Sequence, residues 1–124
     1  MHREDTKKMI KLILTLKRRR GMTHDEFAHY QQNVHRPLLL SIPETRRHMR
    51  RFVVSYPVPA PQQPEPEYDS VVEAWFDSTA DLEALFGSDN FLKVVDPDHE
   101  NFVDLSSVGR IVCEEDVVLD HDRS

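Results

Sequence analysis

The sequence is short of the residues on which several kinds of chemistry depend. Its 124 residues include one cysteine, three glycines and one tryptophan. The single Cys113 excludes an internal disulfide, so packing must hold the fold, and reducing cytosol is the expected setting. Three scattered glycines make no phosphate loop and no dinucleotide fingerprint, which argues against nicotinamide or flavin chemistry on a Rossmann plan. No apolar run approaches the ~18 residues that a membrane span needs, and the charged opening MHREDTKK lacks the apolar core of an export signal. A cytoplasmic protein without membrane contact is therefore expected. With 39% hydrophobic and 31% charged residues, the chain should fold as one domain, being too short for two well-packed cores.

Charge is abundant and unevenly spread. Residues 1–56 carry 13 Lys and Arg against 5 Asp and Glu, whereas residues 57–124 carry 3 against 17. Halves of +8 and −14 thus make up the net charge of −6. A basic half can mean an anionic partner, nucleic acid included. No nucleic-acid motif accompanies it here, so the halves are expected to interleave in one domain, or to meet across a dimer, with no nucleic-acid partner.

MIKLILTLKRR (residues 9–19) is a branched run with both alternating phases largely apolar, the mark of a strand covered on two faces. Thr23 followed by Glu26 is a capping box and starts a helix through THDEFAHYQQNVH. With Phe27 at zero and about 100° per residue, Val34 falls near −20°, Tyr30 near −60° and Gln31 near +40°, a stripe facing the core. Pro37 is expected to end or sharply bend this helix just after His35. LLLSIPETRRHM should add one or two short helical turns, with Pro43 at a first helical position.

RRFVVSY (50–56) reads as a second strand and SVVEAWFD (70–77) as a third. Between them, PVPAPQQPEPEY holds five of the eight prolines and must be an extended surface loop. Ser78 caps a helix over TADLEALFG, residues 88–105 continue it with an interruption at Pro97, and VGRIVCEEDVVL is the fourth strand. The order β-α-β-β-α-β is the ferredoxin-like α+β plan, one four-stranded antiparallel sheet with helices on one face. The expected domain spans 9–119, between a flexible extension at 1–8 and a frayed tail at 120–124. Strands apolar in both phases need a second cover that so short a chain does not contain. A homodimer packed sheet to sheet would provide it.

His35 is the first candidate for chemistry. It lies about +80° from Phe27, at the edge of the buried stripe. There an imidazole is either an acid–base group facing a cavity or a helix-terminal residue bonding the last carbonyls. His24, in the first turn, reads as structural. DPDHE (96–100) lacks the spacing and glycine of a calcium loop and reads as a solvated helix start, so no metal is expected. Trp75 either walls a pocket for a flat ligand or belongs to the core; Glu73, in the same strand phase, either orients a catalytic group or faces a dimer seam or solvent. Tyr30 and Tyr56 are phenols able to hydrogen-bond into a pocket, and Cys113 is a strand thiol without a paired base.

Together, LKRRRGMTHDEFAHYQQNVHRPLL and the later YDSVVEAWFDSTADLEALFGSDNF resemble the EthD-domain family, within the dimeric α+β barrel superfamily. The matching features are Gly21-Met22-Thr23, Glu26-Phe27, Tyr30 and His35-x-Pro37, and the likeness runs over residues 9–119. The resemblance implies a ferredoxin-like monomer, a sheet-to-sheet homodimer, and a ligand cavity between sheet and helices. Relatives include polyketide cyclases, dehydratases, decarboxylases, lactone isomerases, cofactor-free monooxygenases and accessory proteins of ether degradation, so fold alone does not set the reaction. What it implies here is a lyase- or isomerase-type enzyme that uses no cofactor and moves protons on a small, hydrophobic, oxygenated aromatic, polyketide-like or lactone substrate. A cofactor-free monooxygenase and a non-catalytic metabolite-binding protein are the alternatives; haem binding has only an axial His to support it. His35 would be the acid–base group, Tyr30 and Tyr56 would orient oxygens, and Trp75 and Phe76 would shape the cavity. Where the family usually has a small residue after this His, the present chain has Arg36, which either binds a carboxylate or phenolate or points to solvent.

Overall fold

The computed structural model describes residues 8–62 and 65–121. The expected extension at 1–8 and tail at 120–124 therefore lie mostly outside the described residues. Strand β1 spans Ile10–Leu16, β2 Met49–Ser55, β3 Ser70–Phe76 and β4 Gly109–Glu114. Helix α1 spans His24–Tyr30, α2 Arg36–Ser41, α3 Pro43–His48 and α4 Thr79–Phe86. The four strands form one antiparallel sheet in the order β2-β3-β1-β4. This is the arrangement expected from the β-α-β-β-α-β pattern, with the pairing β1–β3 at its centre.

Register sorts the side chains onto two faces. Leu12 pairs with Ala74 and Val112, and Leu14 with Val72 and Arg110, so these point one way. Ile13 pairs with Glu73 and Ile111, and Lys11 with Trp75 and Cys113, so these point the other way. The first face meets the helices, and Leu12, Leu39, Ile42, Phe76, Leu85 and Val95 form its core. β4 is shorter than expected, ending at Glu114 and leaving Val117, Val118 and Leu119 exposed.

Both anticipated helix starts are present. The Thr23 hydroxyl accepts from the Glu26 N–H at 3.1 Å while Glu26 accepts from the Thr23 N–H at 2.8 Å. Ser78 likewise accepts from the Asp81 N–H. The expected stop at Pro37 is corrected. α1 runs into a wide π turn, Gln31–His35, closed by the Arg36 N–H bonding to the Gln31 carbonyl, and α2 follows without a break. In a regular α-helix the Pro37 ring would press on the Asn33 carbonyl; one extra residue in the preceding turn relieves that clash.

The wide turn also re-aims the helix. Phe27, Gln31, His35 and Leu39 are buried at intervals of four, whereas Val34 is 41% exposed. A wheel of 3.6 residues per turn puts Val34 inside; the inserted residue gives that place to His35. The second half repeats the device. A π turn at Phe91–Val95 is closed by the Asp96 N–H bonding to the Phe91 carbonyl, with Pro97 next in line. Val95, the counterpart of His35, is fully buried.

The two oppositely charged halves interleave as anticipated. Lys11 meets Glu73 and Glu115, Arg18 and His24 meet Asp69, His48 meets Asp81, and Arg50 meets Asp77. Asp69 is the most buried of these acids. It accepts from the Arg18 N–H at 2.7 Å, from the Arg18 guanidinium at 2.9 Å and from His24 at 2.9 Å. Burial pushes its carboxyl up, but those bonds outweigh burial and hold it below the usual range. It fastens the end of β1, the first turn of α1 and the start of β3. Asp69→Asn should cost about 2–3 kcal/mol in urea denaturation, because the Arg18 guanidinium loses its charged partner and the Arg18 N–H and His24 ring lose a carboxylate acceptor; a change below about 0.5 kcal/mol would show that Asp69 does not fasten these elements.

Candidate functional site

Between the helix-facing side of the sheet and the helices lies a cavity of about 370 Å³. Its floor is apolar, made by Leu12, Leu14, Val72 and Ala74. Phe52, Phe86, Phe91 and Phe102 add aromatic walls. Five polar side chains reach this surface: Gln31, His35, Asp96, His99 and Arg110. A dry wall with few polar groups is the usual form of a small-molecule site.

The π turn delivers Gln31 and His35, one turn apart, to the same wall. His35 is 8% exposed, and its Nδ1 lies 3.0 Å from Asp98 Oδ2. Asp98 also accepts from the Tyr30 hydroxyl at 2.6 Å and from Asn101 at 2.9 Å. Burial pushes the Asp98 carboxyl up, but the bonds from Tyr30, Asn101 and His35 hold it below its ordinary value, so it is ionised at neutral pH. An ionised carboxylate only accepts, so His35 donates from Nδ1–H. Its Nε2 is then the unprotonated nitrogen.

Burial is also the main influence on His35. Desolvation, followed by the neighbouring His99, drives its pKa from 6.5 down to about 4 against the upward pull of Asp98. The ring is therefore neutral at pH 7, a base rather than an acid. Its centroid lies 4.4 Å from that of His99 and 4.9 Å from that of Phe102. Phe102 is fully buried and also touches Tyr30 and Phe27, at centroid distances of 5.1 Å and 5.4 Å. His99 Nδ1 is held by the Asp96 carbonyl oxygen at 3.0 Å. The segment carrying these residues is clamped to the chain just past β1 by bonds from the Arg19 N–H to the Phe102 carbonyl and from the Asp104 N–H to the Lys17 carbonyl.

Of the residues singled out from sequence, His35 alone lines the cavity. Tyr30 acts one step back, as a donor to Asp98. Arg36 and Tyr56 stand beside one another away from the cavity, and burial raises the Tyr56 pKa against the pull of the neighbouring Arg36. Glu73 and Trp75 lie on the opposite face of the sheet. There Glu73 binds Lys11, and Trp75 lies between Lys11 and Arg51 with its Nε1–H donating to Glu115. Strand alternation puts them there, since Val72 and Ala74 take the cavity side. Phe76 is fully buried in the core with its ring edge on Phe86, and it does not reach the cavity.

Sequence reasoning passed over Asp98, His99, Gln31 as a site residue, and Arg110. DPDHE does open a helical element, the 3-10 segment Asp96–Asn101, with Asp96, Pro97 and Glu100 exposed as expected, but Asp98 meets His35 and His99 lines the cavity. The signal available was the shared spacing of His35-Arg36-Pro37 and Val95-Asp96-Pro97 in the two halves. Among the described residues no group of three or more His, Cys, Asp or Glu is placed to hold a metal ion.

Comparison with curated proteins finds no match. Among solved structures, the chain is similar to an ethyl tert-butyl ether D (EthD) family protein from Bacillus halodurans, with 23% identity and a TM-score of 0.68 over 87% of this chain and 99% of that one. It is similar to an EthD-like protein from Ralstonia eutropha at 15% identity and a TM-score of 0.64, over 95% and 99% of the two chains. A dimeric protein of unknown function with a ferredoxin-like fold, from Bacteroides fragilis, matches at 14% identity and a TM-score of 0.64, over 86% and 96%. These likenesses show the ferredoxin-like fold. A family model of the EthD domain matches residues 19–106, well over half of the sequence. The chain belongs to the EthD domain family.

Proposed function

We propose that the protein is a cofactor-independent enzyme of lyase or isomerase type, moving a proton on a small oxygenated aromatic, polyketide-like or lactone substrate. The observation that carries this reading is the buried His35, its Nδ1–H committed to Asp98 and its neutral ring on an apolar cavity wall. In this mechanism His35 Nε2 takes a proton from substrate carbon or oxygen, and Asp98 balances the imidazolium that forms. The Gln31 amide, one turn away, hydrogen-bonds the substrate oxygen on which negative charge develops. His35 then returns the proton to a different atom, which completes an isomerisation, a cyclisation or a dehydration. A base with a pKa of about 4 is weak at neutrality, so the proton it takes must be acidic already. Carbon between two carbonyls, or a phenol, meets that requirement.

The same reading includes a homodimer formed through the open face of the sheet. Ile13, Val53, Val71 and Ile111 supply apolar side chains around Glu73 on that face, and Ile111 is more than half exposed. One of the similar structures is described as a dimer. A second reading, a carrier that sequesters a hydrophobic metabolite, draws on the same apolar walls and differs only in whether His35 is used.

Three outcomes test these statements. His35→Ala should lower deuterium incorporation from solvent into activated aryl β-diketones or lactones by about 10²–10⁴-fold while ligand binding persists. Equal incorporation by variant and wild type would remove His35 from the mechanism and leave the carrier reading. The second outcome concerns stability. Unfolded His35 binds a proton below 6.5 but the folded residue only below about 4, so the unfolded state holds more protons in that window. Stability should fall by about 3 kcal/mol as pH drops through it, with no contribution from His35 above it. Urea titrations across the window should show this loss reduced in His35→Gln; an unchanged pH dependence would contradict it. Finally, sedimentation at micromolar concentration should show a dimer that Ile13→Lys converts to monomer, and a monomeric wild type would refute the sheet-to-sheet contact.

A further inference from the structure

We infer that the substrate of this cavity is a monocarboxylate, held by Arg110 at the cavity mouth with its apolar body inside. The inference rests on the cavity being the substrate site and adds the chemical class of what it takes. Arg110 sits on β4, paired with Leu14 of the cavity floor, so its side chain leaves from the helix-facing side. It is the only Lys or Arg on the cavity wall among the described residues. Among the described residues its guanidinium has no carboxylate partner; its neighbour is the Phe86 ring, 6.0 Å from the centroid. That contact is at the outer limit of a cation–π attraction and leaves the planar N–H fork unspent.

The surroundings indicate how a ligand would lie. Leu92, Leu105 and Val108 line the cavity yet remain 49%, 56% and 37% exposed. Together with the exposed Arg110 and Asp96 they mark the opening, an apolar rim with one cation and one carboxylate. An anion driven deeper would lose its water to an apolar floor, which is unfavourable. At Arg110 it keeps partial hydration and gains a bidentate partner. The apolar body then extends over Leu12, Val72 and Ala74 toward Gln31 and His35. Gln31 is 4% exposed, and among the described residues its Oε1 has no hydrogen-bond partner, so the inner end of the cavity holds an unmet polar demand. A ligand hydroxyl or amide at that end would meet it. The role imagined for Arg36 thus falls to a different arginine, one that faces the cavity.

The test compares 2-naphthoate with its neutral isostere 2-naphthamide by calorimetric titration at pH 7. Wild type should bind the carboxylate about tenfold or more tightly than the amide, and added salt should weaken that preference. Arg110→Gln should abolish the preference while leaving naphthamide affinity within about twofold, which also reports an intact cavity. Arg110→Lys should recover part of it, having charge without the fork. Equal affinities in wild type, no binding of either probe, a preference that survives Arg110→Gln, or equal loss of both probes in that variant would each overturn the assignment. His35→Ala should keep the preference, so failure of the proton-transfer reading and failure of the Arg110 assignment give different results.

Discussion

The bond between Asp98 and His35 joins the halves of the chain where the chemistry is proposed to occur. Asp98 lies late in the sequence, His35 early, and neither is useful alone. Without Asp98 the imidazole has nothing to fix its tautomer, and the Tyr30 hydroxyl and Asn101 amide lose their acceptor. Without His35 a mostly buried carboxylate loses one of the donors that keep it ionised. The same pairing of an early basic side chain with a late acid recurs at Lys11, Arg18, His48 and Arg50. Here it is placed against a cavity, where burial turns an ordinary histidine into a neutral base.

Backbone geometry makes that placement possible. Each half carries a π turn ending two residues before a proline, and each turn shifts the inward direction by one residue. In the second half the inward residue is Val95, which fills core. In the first it is His35, which faces empty space. π turns are frequent at functional sites, and here the reason is steric: proline needs the extra residue, and the extra residue moves the histidine inside. Gln31 benefits from the same shift, since intervals of four stay on one face through a widened turn.

The fold was legible because its cues are local. The capping box at Thr23, the cap at Ser78, the strand alternation and the proline-rich loop each depend on a few adjacent residues. The charge asymmetry between halves was legible too, as interleaving. The site was legible only at His35. Arg36 drew attention as an unusual neighbour in sequence, yet it turns toward Tyr56. Glu73 and Trp75 were misplaced because a strand phase does not announce which face has the helices. Asp98, His99 and Arg110 arrive from distant segments, and their meeting depends on chain closure that no local pattern encodes. Val34 was misread for a definite reason, a helical period that does not hold across the π turn.

The proposed proton transfer depends on the protonation of His35. Its most direct test is a titration of the imidazole nitrogens by nitrogen-15 NMR in the folded protein. The account predicts a pKa of about 4, with the proton of the neutral ring on Nδ1 and Nε2 bare. A pKa at or above 6.5, or a neutral ring protonated on Nε2, would contradict it.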